Sequence, residues 1–167
     1  HPCQILADLF TLSEYCKNLQ KLKIVFIGDG NNVCNSWFFA VGVLGLDFTL
    51  TCPQGYEANS TAIQFAKAHA KKTGAKAAVI HDPLKAIKDA DVIYTDVWVS
   101  MGQEKESEER KRKFKPYQVN KMLMRHTKKN ALVMHCLPAH RGEEITDEVM
   151  DGKNSIVFDQ AENRLHI

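Results

Sequence analysis

Short apolar runs recur along the chain and stop at glycine, proline or polar residues. Five of these runs are KLKIVFIGDG (21–30), DFTLTCP (47–53), AKAAVIHD (75–82), DVIYTDVW (91–98) and ALVMHC (131–136). They are nearly continuously apolar, which is typical of strands that are buried on both faces of a parallel sheet. A sixth strand is predicted at SIVFDQ (155–160).

The stretches between these runs predict helices. Helical periodicity and terminal residues mark 32–45, 57–74, 83–90 and 116–126. Glycines end the first two stretches and prolines open the last two, which is the usual asymmetry of helix ends. The alternation predicts an α/β fold: a doubly wound, Rossmann-like parallel sheet of five or six strands with helices on both faces. Residues 1–167 fit one domain.

Composition excludes several classes of protein. A net charge of +2 lacks the basic excess of a nucleic-acid-binding protein, and no apolar run reaches the length of a membrane span. The five cysteines are scattered without CxxC spacing, which indicates reduced thiols. We therefore expect a cytoplasmic protein, or a matrix or stromal one in a eukaryote. The chain opens without Met, so we also expect a piece of a longer protein.

Polar side chains and a thiol follow three of the predicted strands. Residues 28–32 (GDGNN) follow the first, Asp96 ends the fourth and Cys136 ends the fifth. Ligands bind beyond the carboxyl ends of the strands in such sheets, so a pocket is predicted at this edge. The amides of Asn31 and Asn32 either cap the next helix or bind a ligand carboxylate there, where the helix dipole favours an anion.

Three other sites fit the residues less well. A dinucleotide fingerprint would need Gly or Ala where Val33 stands, and an acidic residue at the end of the second strand. A nucleophilic Cys136–His135 pair is disfavoured because adjacent strand residues point to opposite faces. A zinc site built from these two residues and His140 lacks structural-site spacing. We predict neither a metal nor a nucleotide cofactor.

Five short motifs together resemble the ornithine carbamoyltransferases. They are HPCQ (1–4), GDGNN (28–32), DVWVSMG (96–102), HCLP (135–138) and AENR (161–164). The resemblance covers the whole chain and is to the carboxyl-terminal, ornithine-binding domain of that family. The Ser-x-Arg-Thr-Arg phosphate loop of the carbamoyl-phosphate domain and the last helix of the family have no counterpart in the sequence. We therefore expect the isolated chain to be inactive.

The resemblance implies a reaction and a set of site residues. Carbamoyl phosphate and L-ornithine would give L-citrulline and phosphate, in arginine metabolism and without a cofactor. Asp96 and Cys136 occupy the catalytic positions. The implied ornithine contacts are Asn32, Asp96, Ser100, Met101, Cys136 and Leu137, and the implied carbamoyl phosphate contacts are His1, Gln4 and Arg164.

The resemblance also implies partners and leaves alternatives open. The partners would be the protein's own amino-terminal domain and further copies, as a homotrimer or a multiple of trimers. A non-catalytic amino-acid-binding module remains an alternative, as does a sister carbamoyltransferase with another amine acceptor, although Asp96-x-x-x-Ser100-Met101-Gly102 favours ornithine. The charge-dense segment 103–115 is predicted to be a mobile lid, poorly ordered without substrate, or else a passive surface excursion.

Overall fold

One parallel sheet of five strands organises the described residues, 1–99 and 106–167, in this computed structural model. The strands are β1 (Lys23–Ile27), β2 (Asp47–Thr51), β3 (Ala77–Ile80), β4 (Val92–Thr95) and β5 (Leu132–His135). Their order in the sheet is β3-β2-β1-β4-β5, so the order reverses beside β1, which pairs with β2 on one side and β4 on the other. The predicted doubly wound parallel sheet is confirmed, with five strands.

Helices lie on both faces of this sheet. Within the described ranges they are α1 (Pro2–Tyr15), α2 (Asn32–Leu44), α3 (Ser60–Thr73), α4 (Pro83–Ile87), α5 (Ser107–Phe114), α6 (Lys121–Met124), α7 (Asp147–Met150) and α8 (Val157–Asn163). None of them combines the length and hydropathy that crossing a membrane requires. All five cysteines are free thiols.

Two apolar cores sandwich the sheet. Alternate residues of β1 separate between them: Ile24 and Phe26 pack with α1, α2 and α3, whereas Val25 and Ile27 pack with α4, α6 and α7. This division follows from the two-residue period of a strand, and it explains why the strands are apolar throughout. The carboxyl ends of the strands therefore rest on a rigid, doubly covered support.

Helix α1 was missed by the sequence analysis, which predicted no element before residue 21. Pro2 lies in its first turn, and Ile5, Leu9 and Leu12 are the large apolar residues of its buried face. The spacing of these three residues is helical, so the signal was present in the sequence. α1 packs against α2 and α8 and places Gln4 at the edge of the sheet.

The predicted sixth strand is wrong. Within residues 155–160, Ser155 alone forms a bridge, an isolated parallel one to Val133, and α8 begins two residues later. The buried residues of α8 are Val157, Gln160 and Asn163, which recur every third position. Because two of the three are polar, hydropathy did not reveal the helical period. The predicted helix 116–126 is also divided, since Asn120 caps a new helix by accepting a hydrogen bond from the Leu123 backbone N–H.

Gly30 allows a close approach between two loops at this edge. A β-carbon at Gly30 would lie 2.1 Å from the backbone nitrogen of Ala58 and 2.3 Å from the carbonyl carbon of Glu57. The loop after β2 therefore packs directly on the glycine turn. This contact explains the second glycine of the turn without a pyrophosphate.

Gly30→Ala is expected to destabilise the protein, since the added β-carbon would overlap the backbone of Glu57 and Ala58. The free energy of unfolding should fall by about 3 kcal/mol, the upper part of the range for overpacking. Urea unfolding of the full-length protein that contains this chain measures the change. A loss below about 0.5 kcal/mol would show that the loop after β2 relaxes freely.

Candidate active site

An open cleft lies at the carboxyl edge of the sheet, beside the point where the strand order reverses. Loops after β1, β4 and β5 form its walls together with the start of α1. The cleft is lined by seven residues that the sequence analysis selected: His1, Gln4, Asn32, Asp96, Cys136, Leu137 and Arg164. The other two, Ser100 and Met101, lie outside the described residues. The individual roles of all nine stay predictions.

Asp96 is held rigidly at the end of β4. One carboxylate oxygen, Oδ2, accepts a hydrogen bond from Nδ2 of Asn31 at 2.6 Å, and Oδ1 accepts one from the Val97 backbone N–H at 2.8 Å. Asp96 is 7% exposed. The carboxylate is thus oriented before any ligand arrives, which suits a group that must bind and position an amine.

The two adjacent asparagines of the glycine turn have different surroundings. Oδ1 of Asn31 accepts from the backbone N–H groups of Val33 and Cys34, at 3.0 and 3.1 Å, so Asn31 caps α2. Asn32 is exposed and lines the cleft in the first turn of the same helix. The capping interpretation therefore applies to Asn31, and the ligand-binding one stays available to Asn32.

Cys136 follows β5 and faces Asp96 across the cleft. Its sulfur and a carboxylate oxygen of Asp96 lie within 4.8 Å of one another. Burial raises the pKa of the Cys136 thiol far above its ordinary value, and the negative charge of Asp96 raises it further. The thiol therefore stays protonated near neutral pH, whereas nucleophilic cysteines need a lowered pKa. Cys136 can offer a neutral, polarizable S–H group to a ligand.

His135 supports the loop that carries Cys136. Its Nδ1 accepts a hydrogen bond from the Leu137 backbone N–H at 2.9 Å, so the ring proton lies on Nε2, which donates to Oε1 of Glu144 at 3.0 Å. Leu137 has a left-handed backbone with φ +58°, and this hydrogen bond holds it there. Both His135 and Glu144 are fully buried.

These two hydrogen bonds also bear on the alternative sites. Both ring nitrogens of His135 are occupied, so His135 cannot act as a base for Cys136. Atoms of Asp96, His135 and Cys136 lie close enough together to hold a metal ion. His135 would have to give up one of its hydrogen bonds to become a ligand, which leaves the carboxylate and the thiol as the accessible donors of this set.

A buried polar network connects the cleft to α1 and α8. Oδ1 of Asp8 accepts hydrogen bonds from Nε2 of Gln4 and Nε2 of Gln160, both at 2.7 Å. Oε1 of Gln160 accepts from the His135 backbone N–H at 2.9 Å. Asp8 is fully buried. Gln4 lines the cleft, so this network reaches from the end of β5 to the cleft wall.

The charge of Asp8 is expected to make stability depend on pH. Burial raises its pKa to about 6, although hydrogen bonds from Gln4 and Gln160 act in the opposite direction, as do the Tyr94 hydroxyl and the charge of Arg164. The unfolded chain has a value of about 3.9. The folded state therefore binds this proton more tightly, and the resulting stabilisation is complete below about pH 4 and lost as pH rises through about 6.

The difference between the folded and unfolded pKa of Asp8 corresponds to about 3 kcal/mol of unfolding free energy. Between pH 4 and pH 7, the wild type should lose this amount of unfolding free energy relative to Asp8→Asn, which has no charge to desolvate. Urea unfolding of both full-length proteins across that pH range measures the difference. The contributions of all other carboxylates cancel, because both proteins contain them. A difference that does not change with pH would contradict the assignment.

Arg110 connects α5 to three loops at the edge of the sheet. Its guanidinium contacts the Asp29 carboxylate at 2.5 Å, and Nε donates to the Trp98 backbone carbonyl at 2.6 Å. The guanidinium carbon lies 4.8 Å from the centre of the Tyr56 ring. Arg110 is 4% exposed and Phe114, on the same helix, is fully buried. A buried cation and an aromatic ring therefore anchor α5, which the charge density of this segment did not indicate. The mobile lid stays a prediction.

Four residues beside the cleft were not selected from the sequence as site or support residues. They are Asp8, Asn31 as the partner of Asp96, Arg110 and Glu144. A signal existed for Asp8, which lies four residues after Gln4, so a helix prediction over this stretch would have placed both on one face. Asn31 and Arg110 pair with residues of loops far apart in the sequence, and Glu144 pairs with His135 nine residues away through a loop conformation. Periodicity reports neither kind of contact.

The chain matches the family model described as "Aspartate/ornithine carbamoyltransferase, Asp/Orn binding domain" over residues 20–167. An ornithine carbamoyltransferase of Pyrococcus horikoshii is 54% identical over 166 residues, covering 99% of this chain and 52% of the relative. One of Thermococcus kodakarensis is 55% identical, covering 99% and 53%. The chain thus spans about half the length of these curated relatives.

Solved structures agree with the sequence matches. An ornithine carbamoyltransferase from Pyrococcus furiosus superimposes with a TM-score of 0.95 at 54% identity, covering 99% of this chain and 53% of that one. An N-acetyl-L-ornithine transcarbamylase superimposes with a TM-score of 0.86 at 33% identity, covering 99% and 53%. The sheet order, the cleft at its switch point and these matches agree: the chain belongs to the aspartate/ornithine carbamoyltransferase family and has the fold of its Asp/Orn binding domain.

Proposed function

We propose that the full-length protein containing this chain transfers the carbamoyl group of carbamoyl phosphate to the δ-amine of L-ornithine, giving L-citrulline and phosphate. The observation that carries the proposal is the pairing of the preoriented Asp96 carboxylate with the protonated Cys136 thiol at the ends of adjacent strands. Identity of 54% to curated ornithine carbamoyltransferases supports the same reaction.

In this proposal, the cleft binds ornithine by both ends. The side chain of Asn32, in the first turn of the 13-residue helix α2, meets the carboxylate, which the positive end of the helix favours. The δ-amine lies between Asp96 and Cys136. The Asp96 carboxylate accepts its hydrogen bonds, and the neutral thiol adds a soft contact without a second negative charge. Leu137 closes this end of the site. Ser100 and Met101 complete the proposed ornithine contacts.

The transfer then requires the neutral amine. Its nitrogen forms a bond to the carbamoyl carbon, the carbon–oxygen bond to phosphate breaks, and the proton leaving the amine is taken up by the departing phosphate. His1 and Arg164 stabilise the carbonyl and phosphate oxygens as charge develops on them. Gln4 contacts the carbamoyl group. Both bonds are exchanged between the two substrates, so the proposed reaction needs no cofactor.

The direct test is citrulline formation by the purified full-length protein. Carbamoyl phosphate is supplied with L-ornithine, N-acetyl-L-ornithine, putrescine or L-aspartate in parallel, and the carbamoylated product is quantified. We expect citrulline to form with a kcat/KM for ornithine at least about a hundredfold above that for the other amines, because a site built for charged groups rejects analogues that lack them.

Two results would replace this proposal. A higher kcat/KM for another amine would identify a sister carbamoyltransferase. Calorimetric binding of L-ornithine without any product would identify a non-catalytic amino-acid-binding module. Neither alternative has an observation in its favour beyond the shared fold.

We also propose that the protein works as a homotrimer or a multiple of trimers together with its own carbamoyl-phosphate domain, in the cytoplasm or an organellar matrix. The family resemblance supports the assembly, and free thiols support the compartment. Exposed apolar side chains on α1 and α2, among them Leu6, Phe10 and Phe39, leave surface for such contacts. Light scattering of the full-length protein tests the assembly.

A further inference from the structure

The amide of Gln4 has a fixed polarity in this structure. Its Nε2 donates to Oδ1 of Asp8, one helical turn further along α1. A carboxylate accepts hydrogen bonds at both oxygens and, when ionised, donates none, so the amino end of the Gln4 amide must face Asp8. Because Gln4 also lines the cleft, Oε1 is the amide atom that it can offer there.

A backbone N–H group sets the direction of the hydrogen bonds that lead to Asp8. The His135 N–H can only donate, and it donates to Oε1 of Gln160. The other end of that amide, Nε2, is thereby turned toward Asp8. Asp8 thus receives one donor from Gln160 and a second from Gln4, both at Oδ1, whereas Oδ2 is buried and has no hydrogen-bond partner among the described residues. Each of the two glutamine amides has one orientation that is compatible with these hydrogen bonds. A buried network of this kind favours a single orientation.

We propose that Asp8 is a positioning residue for the carbamoyl donor, holding Gln4 so that Oε1 accepts a hydrogen bond from the carbamoyl NH₂ group. This rests on the proposed function, which places the carbamoyl group beside Gln4. With the amide reversed, Gln4 would present N–H groups to an NH₂ group, and two donors cannot pair. Asp8 itself touches no substrate and acts through the orientation of Gln4.

The proposal predicts discrimination between two ligands of nearly equal size. Carbamoyl phosphate carries an NH₂ group where acetyl phosphate carries a methyl group. A correctly oriented Oε1 accepts from the first and has nothing to accept from the second. Binding is measured by calorimetry on the full-length protein without ornithine, using carbamoyl phosphate, acetyl phosphate and inorganic phosphate.

Asp8→Leu is expected to weaken carbamoyl phosphate binding about fivefold, within the range that ordering one side chain costs. Binding of acetyl phosphate and inorganic phosphate should not change, so the preference for the carbamoyl ligand falls. The same substitution in a Gln4→Ala background should have no further effect, because the residue it positions is gone. Asp8→Asn keeps an acceptor oxygen and should retain most of the preference.

Thr11→Val is the matched control. Asn163 donates to the Thr11 hydroxyl at 3.0 Å, which is another buried hydrogen bond between α8 and α1. Its loss should lower stability and leave all three affinities unchanged. Should Asp8→Leu fail to fold, Gln4→Glu replaces it, because two carboxylates then face each other. Adding Asp8→Asn to Gln4→Glu restores a donor toward position 4 and should recover carbamoyl phosphate binding.

Several outcomes would overturn the positioning role. They are equal losses for all three ligands, the same loss in the Gln4→Ala background, unchanged binding in a folded Asp8→Leu protein, or a double variant that binds no better than Gln4→Glu. Because binding is measured without ornithine, the coupling between Asp8 and Gln4 can be detected even in a protein that makes no citrulline. That result would contradict the proposed function and leave the positioning role intact. Citrulline formation without coupling would remove the positioning role alone.

Discussion

Asp96→Asn in the full-length protein is expected to lower kcat for citrulline formation by about 10²–10⁴-fold, the usual contribution of a positioned acid or base. The amide oxygen can still accept the hydrogen bond from Asn31, whereas the amide NH₂ group then faces the Val97 backbone N–H and cannot accept from it. The variant therefore loses one local hydrogen bond and, with larger effect, the negative charge that holds the amine. Steady-state kinetics at saturating carbamoyl phosphate measure the change.

Cys136→Ala should lower kcat less than Asp96→Asn, because the thiol is neutral and contributes contact and orientation. Cys136→Ser is the matched variant, since the hydroxyl keeps a donor and an acceptor of similar size. Affinity for carbamoyl phosphate, measured by calorimetry without ornithine, should stay within about twofold of the wild type in all three variants, well below the tenfold that 1.4 kcal/mol produces. A parallel loss of that affinity would place both residues on the phosphate side of the site.

The second large effect concerns the buried ion pair at the edge of the sheet. Arg110→Met removes the guanidinium partner of the Asp29 carboxylate, whose side chain is only 11% exposed in the intact pair. Breaking a buried pair from one side costs about 3–5 kcal/mol, because an uncompensated charge remains in a poorly solvated position. Burial already raises the pKa of Asp29 even with Arg110 beside it. Urea unfolding of the full-length protein near pH 7.5 measures the loss.

Two further variants separate charge from packing at this position. Adding Asp29→Asn to Arg110→Met removes the remaining charge and should recover part of the stability. Lys113→Met removes an exposed pair with Glu109 on the same helix and should change stability by less than about 0.5 kcal/mol. If Arg110→Met costs no more than Lys113→Met, the buried pair is not what holds α5 in place.

The position of the cleft could be predicted because it depends on patterns that are local in the sequence. Continuous apolar runs locate the strands, and in a parallel sheet their carboxyl ends meet at one edge, so the glycine turn, Asp96 and Cys136 fall together. The side chains that support them could not be predicted this way. Glu144 pairs with His135 and Asn31 with Asp96 through loop conformations that no periodicity encodes.

Two errors have a common physical cause, which is the burial of polar side chains. Gln160 and Asn163 occupy the inner face of α8, so hydropathy concealed its helical period. Arg110 is buried in the middle of a charge-rich segment, which therefore resembled a solvated surface run. In each case a specific partner compensates for the burial: Asp8 for Gln160, and Asp29 for Arg110.

The double attachment of Asn31 restricts how this site can be redesigned for a different amine. Its Oδ1 caps α2 and its Nδ2 orients Asp96. A substitution of Asn31 therefore has two effects at once: it removes about 1 kcal/mol of helix stability, and it misplaces the Asp96 carboxylate. Asn32, one position later, is exposed to the cleft and is not the helix cap. Substitutions at Asn32 can therefore change which group the cleft binds at the carboxylate end of the ligand, while the amine-binding end and the fold stay intact. Asn32 is thus the more accessible position at which to redesign the site for a new acceptor.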